Sequence, residues 1–221
     1  MTRERTRLYL ITPPTVVDVN AFLRQFEAAL TGGDVAAIQV RCKSGDRIDE
    51  DMTRAVARAI KPVAEDNSVA VFINDSPKLA AELDVDGVHI GQSDGGIQEA
   101  RDIIGPDRIL GVTCHDSRHL AMTAGEQGAD CVAFGAFYPT TTKDASTRAE
   151  PDILASWQIF TELPCIAIGG ITPENAHPLI EAGADFIATS SAVWDHPDGP
   201  AAAVSAFNKV IDQVFATGDA A

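Results

Sequence analysis

Basic side chains are the minority charge in this chain: 17 Lys and Arg stand against 32 Asp and Glu, a formal net charge of -15 over 221 residues. A surface of that sign repels polyanions, which argues against nucleic acid and anionic membrane as partners. Long apolar runs are missing too, and none approaches the roughly 20 residues that cross a bilayer. Cysteine is limited to Cys42, Cys114, Cys131 and Cys165, each in or beside an apolar run and none in CxxC spacing. That pattern points to free, buried thiols and away from disulfides and zinc sites. Between Met1 and Arg7 charge alternates, with no separate apolar core of a secretory leader, so a cytoplasmic location is expected.

What the chain does have is alternation of short apolar runs with helical stripes. Period and punctuation predict eight strands, near 7–12, 35–41, 69–74, 86–90, 108–114, 130–135, 164–168 and 185–190. Val19, Phe22, Leu23, Phe26 and Leu30 form one apolar helical stripe, and Ala55, Val56, Ala59, Ile60 and Val63 a second. Segments 76–83, 96–104, 116–127, 151–160, 173–182 and 200–215 bring the helices to eight, with Asp116 and Thr172 as expected N-caps, Pro173 at the first helical position and Glu174 in the first turn. The runs Glu126 to Asp130 and Glu181 to Asp185 repeat one helix-to-strand connection. Eight such units predict a single-domain (β/α)8 TIM barrel over residues 1–216, with 217–221 as a frayed tail. An open doubly wound sheet is the alternative.

Polar residues fit for phosphate or metal work follow most of these strands. Alternation places Gln39, Arg41 and Lys43 on one side of strand 2, where a guanidinium fork and an ammonium can hold a diphosphate. Asn74 and Asp75 end strand 3, and Gln92 and Asp94 follow strand 4; two carboxylates on neighbouring strands can share Mg²⁺, although Asp75 could instead cap the next helix. Thr140, Thr142 and Lys143 lie in the longest connection, Phe137 to Pro151, which has the length of a lid, and suit a departing diphosphate. Gly169 and Gly170 after strand 7, with Ser190 and Ser191 after strand 8, occupy the position where barrels bind a monophosphate on backbone N–H groups. His89 reads as a packed histidine, whereas His115 could reach the mouth as an acid or base.

Taken in order, the segments Gln39 to Lys43, Asn74-Asp75, Asp86 to Gln92 with Asp94, Gly111 to His115, Pro139 to Lys143 and Ala167 to Ile171 resemble the thiamine phosphate synthase family, across Arg7 to Val193. The resemblance implies a Mg²⁺-dependent coupling of hydroxymethylpyrimidine diphosphate to hydroxyethylthiazole phosphate, two small phosphorylated substrates. It places the pyrimidine diphosphate on Gln39, Arg41, Lys43 and Asn74, the metal on Asp75 and Asp94, and the diphosphate grip on Lys143 with Thr113. Thr140, Thr142, Gly170, Ser190 and Ser191 would hold the thiazole phosphate. The chain departs from the pattern at Thr113, where Ser is usual, at Cys42, where an acid is usual, at Ser190, where an apolar residue is common, and in 148–152, which lack the usual glycine. Two other readings are a thiazole tautomerase of the same fold, using His115, and a non-catalytic barrel that binds thiazole or thiamine phosphate. A homo-oligomer is compatible with all three.

Overall fold

The computed structural model describes residues 3–140 and 147–218. Eight parallel strands close into a barrel: β1 (Arg7–Ile11), β2 (Ala37–Val40), β3 (Ala70–Asn74), β4 (Gly87–Ile90), β5 (Ile109–His115), β6 (Cys131–Phe134), β7 (Cys165–Ile168) and β8 (Phe186–Thr189). Each strand neighbours the next in sequence, and β8 returns to β1 with Leu8 opposite Ile187 and Leu10 opposite Thr189. The ring has no open edge, which rules out the doubly wound sheet.

Alternation along the strands builds two cores. Leu8 and Leu10 point outward into the layer shared with the helices, while Tyr9 and Ile11 point inward to meet Ala37, Phe72, Ala133 and Ile166 inside the ring. The helices covering the outside are α1 (Val19–Leu30), α2 (Glu50–Asp66), α3 (Pro77–Leu83), α4 (Ile97–Ile104), α5 (Arg118–Glu126), α6 (Asp152–Phe160), α7 (His177–Glu181), α8 (Ser191–Trp194) and α9 (Pro200–Gly218). Among the described residues no helix is long and apolar enough to cross a membrane.

The repeated helix-to-strand connections act at the N-terminal face. Asp86, Asp130 and Asp185 each directly precede a strand, and each carboxylate accepts the backbone N–H of a strand neighbour: Val71 at 2.7 Å, Leu110 at 2.7 Å and Cys165 at 2.8 Å. Pinning at this end is a stability device, and it leaves the opposite end free for chemistry.

Four local features differ from the sequence expectation. The cap of α5 is Ser117, not Asp116: His115 leaves β5 at φ 53°, the chain turns, and Ser117 is the extended residue whose hydroxyl accepts from Leu120 N–H. Thr172 caps no helix, because α7 starts only at His177; the Asn175 amide captures the Thr172 N–H at 2.8 Å and holds 172–175 as a turn, side-chain bonding that competes with helix. The extra helix α8 and a small hairpin pairing Lys43–Ser44 with Arg47–Ile48 were not expected. Neither is long enough to show a hydrophobic period.

Candidate active site

The C-terminal mouth of the barrel holds a cavity of about 710 Å³. On the β2 side, Gln39 reaches it from inside the ring, and Arg41 and Lys43 from just beyond the strand. The connection between β1 and α1 fixes both cations by their backbone: Arg41 N–H donates to Thr12 Oγ1 at 2.9 Å, and Lys43 N–H to the Pro14 carbonyl at 2.7 Å. Burial lowers the pKa of the Arg41 guanidinium, and nearby Asp75 pulls it back up. Arg41 Nη1 is buried with no hydrogen-bond partner among the described residues. A desolvated, unanswered N–H of a cation costs free energy that an anionic ligand would recover.

Asn74 ends β3 facing the cavity, and Asp75 follows at φ 58°, a left-handed conformation that Asp tolerates better than most residues. The helix-cap alternative for Asp75 is overturned, since the Ser76 hydroxyl accepts the Leu79 N–H and caps α3. Asp75 Oδ2 instead takes the Lys43 ammonium at 2.7 Å. From the next loop Asp94 lines the same cavity, its Oδ2 accepting Gly91 N–H at 2.9 Å. Gln92 is exposed and braces β5 through the Thr113 carbonyl at 2.6 Å. Among the described residues no cluster of three His, Cys, Asp or Glu could hold a metal. Two hard carboxylates on adjacent loops do fit Mg²⁺, which takes one or two protein carboxylates and fills its other positions with water and phosphate oxygen. The Lys43 ammonium already shows that Asp75 Oδ2 sits where a cation is welcome.

Thr113 lines the cavity from β5, its hydroxyl 2.9 Å from His89 Nε2, so the buried His89 is packed against the site and not remote from it. His115 also reaches the mouth. Thr140 does so from the β6 connection, whereas Thr142 and Lys143 lie outside the described residues.

Gly169 and Gly170, at φ 101° and 64°, form the β7 edge of the cavity. A Cβ on Gly170 would run into the Pro139 carbonyl and the Tyr138 side chain, so only glycine lets the β6 and β7 connections close on each other here. Asn175 holds the loop by donating from Nδ2 to the Gly170 carbonyl at 3.0 Å, and Tyr138 Oη donates to the Asn175 carbonyl at 2.7 Å. Ser190 and Ser191 complete this edge at the start of α8. The Ser190 hydroxyl is turned onto the Thr12 carbonyl at 3.3 Å, and α8 has no side-chain cap, which leaves backbone N–H groups as its donors. Trp194 anchors α8 by donating to the Ile11 carbonyl at 2.6 Å and meeting Phe22 edge-on. Gly170→Ala is therefore expected to destabilise the fold by about 1–2 kcal/mol, read by calorimetry.

Sequence reasoning missed Tyr9 and Asn175. Tyr9 is masked by an apolar run and Asn175 by a short polar turn, and only their contacts mark them.

A model of the family described as thiamine monophosphate synthase matches residues 8–193. The thiamine-phosphate synthase of Hyphomonas neptunium is 54% identical over 213 residues, 96% of this chain and 96% of that protein. That of Rhodospirillum centenum is 56% identical over 205 residues, 93% of this chain and 97% of the relative. Among solved structures, the thiamine phosphate pyrophosphorylase from Pyrococcus furiosus is similar with a TM-score of 0.81 at 28% identity, covering 94% of this chain and 96% of that one.

Proposed function

This chain belongs to the thiamine monophosphate synthase family, and from its site we infer that it joins hydroxymethylpyrimidine diphosphate to hydroxyethylthiazole phosphate, forming thiamine phosphate and releasing diphosphate. It is a transferase of the pyrimidinylmethyl group. The observation that carries the site assignment is one cavity that gathers the Arg41 and Lys43 cations, the Asp75 and Asp94 carboxylates and the glycine and serine edge at Gly170, Ser190 and Ser191. In the ring, β3 and β4 lie four strands from β7 and β8, so the Asp75 and Asp94 side stands across the mouth from Gly170, Ser190 and Ser191.

On this reading Arg41 and Lys43 hold the diphosphate, Gln39 and Asn74 the pyrimidine diphosphate from the floor, and Asp75 with Asp94 a Mg²⁺ ion. When bound, Mg²⁺ supplies charge neutralisation to the diphosphate oxygens. Lys143 and the Thr113 hydroxyl, the latter set by His89, add donors to the leaving group. Gly170, Ser190 and Ser191, with Thr140 and Thr142, seat the thiazole phosphate so that its ring nitrogen faces the reacting carbon. The C–O bond to diphosphate breaks, its electron pair leaving with the diphosphate, while the aminopyrimidine spreads the positive charge; the thiazole nitrogen then donates its pair to form the C–N bond. No protein nucleophile is needed. The cysteines agree with that, since burial pushes Cys42 up to about 11 and Cys114, Cys131 and Cys165 up to about 12, far from thiolate at working pH. A cytoplasmic setting fits substrates of this kind.

The test is to combine purified protein with both substrates and Mg²⁺, with and without a chelator, and to measure thiamine phosphate and diphosphate. Chelator-sensitive formation of both is expected. Absence of product from folded protein would shift the reading to the tautomerase or to the binding barrel.

A further inference from the structure

We propose that Tyr9 is a positioning residue for the pyrimidine diphosphate: its phenol dictates which way the Gln39 and Asn74 amides point, so that Asn74 offers the cavity a donor and not an acceptor. This rests on the synthase reading and extends it to a residue that touches no substrate.

Tyr9 projects from β1 into the barrel, 3% exposed, its ring 5.5 Å from Phe72. Burial pushes its phenol well above the usual range, so the O–H proton is retained at every working pH. Among the described residues the hydroxyl has one hydrogen-bond partner, Gln39 Oε1 at 3.0 Å. A buried O–H requires an acceptor, and an amide accepts only through its oxygen. Gln39 must therefore turn Oε1 to Tyr9 and Nε2 away from it. Nε2 donates to Asn74 Oδ1 at 2.6 Å. With Oδ1 committed to Gln39, the Asn74 atom left for the cavity that this residue lines is Nδ2, a donor.

The chain of bonds thus has one polarity, from phenol to floor, and strand register keeps its members in place: Ile11 lies opposite Gln39 across β1 and β2, and Gln39 opposite Phe72 across β2 and β3. Ring nitrogens and diphosphate oxygens are acceptors, so a donor at Asn74 binds them where an amide oxygen would repel them. Without the phenol the donor-out arrangement loses the hydrogen bond that favoured it, and both amides reverse together. A loss of about one hydrogen bond's worth leaves that arrangement about a tenth populated, and affinity falls by that fraction.

The experiment is calorimetric titration of pyrimidine diphosphate with Mg²⁺, and separately of thiazole phosphate, into the full chain as wild type, Tyr9→Phe, Asn74→Ala and the double variant. Tyr9→Phe keeps the ring packing and is expected to weaken pyrimidine diphosphate about tenfold, the worth of one hydrogen bond, with thiazole phosphate affinity unchanged. In the Asn74→Ala background the same change should cost less than about twofold, because its effect passes through Asn74. Unchanged affinity in Tyr9→Phe, equal losses in both backgrounds, or weakening of both substrates would overturn the proposal. Should Tyr9→Phe not fold, Gln39→Glu carries the test: a carboxylate accepts from Tyr9 but cannot donate to Asn74, so the Asn74 amide must reverse. A loss that shrinks in the Asn74→Ala background supports the proposal, and one of equal size in both defeats it. A wild type that binds no pyrimidine diphosphate removes the synthase reading itself.

Discussion

Arg41→Met is expected to lower kcat by about 10² to 10³, the usual cost of losing a donor aimed at developing charge, without lowering the melting temperature of the free protein. The two halves of that result have one cause. In the free protein the guanidinium is partly desolvated, its pKa lowered by burial, and one of its nitrogens is buried without a partner among the described residues. A group held in that condition contributes little to the fold, and a methionine of similar reach replaces its packing at no electrostatic cost. The diphosphate is what completes its hydrogen bonding. Steady-state kinetics at saturating substrate beside differential scanning calorimetry separates the outcomes: a fall in melting temperature with kcat preserved would make Arg41 a structural cation.

Asp75→Asn is expected to reduce turnover by about 10² or more and to raise the Mg²⁺ concentration for half-maximal activity at least tenfold. The substitution is nearly isosteric, and asparagine accepts the φ of 58° as readily as aspartate does, so the backbone at the end of β3 stays in place. What changes is charge. The amide is a poor ligand for a hard divalent ion, and the Lys43 ammonium, now 2.7 Å from Asp75 Oδ2, loses its anionic partner. Identical Mg²⁺ titrations for variant and wild type would take Asp75 out of the metal site, leaving its bond to Lys43 as its role. Measuring both substrates' KM values shows which edge of the cavity is affected, and the expectation is the pyrimidine diphosphate.

Much of the site was legible because a parallel barrel sends every strand end to one face. Once strands were placed by alternation, Gln39, Arg41, Asn74, Thr113 and Gly170 had to converge, and the structure brings them around one cavity. The cap expectations at Asp116 and Thr172 failed for a different reason. A side-chain oxygen beside a helix is a signal that several neighbours share, and which one is used depends on how the chain leaves the strand before it. At Ser117 that exit is the left-handed His115, and at Thr172 it is the competing Asn175 amide.

Periodicity and composition by themselves determined the eight strands, their alternating helices and the anionic surface, since these depend on spacing and charge counts that any fold of the chain must respect. The motifs, read in order, carried the family. Tertiary structure alone decided that Asp75 pairs with Lys43 and caps nothing, that the Ser190 hydroxyl turns away onto Thr12, that Asn175 holds the Gly170 loop, and that Tyr9 orients Gln39 and Asn74. The physical reason is common to all four. Each hydrogen bond depends on angle and on which polar atoms compete for it, across 30 or more positions in three of the cases and within the folded Gly170 loop in the fourth, and the barrel must close before that competition exists.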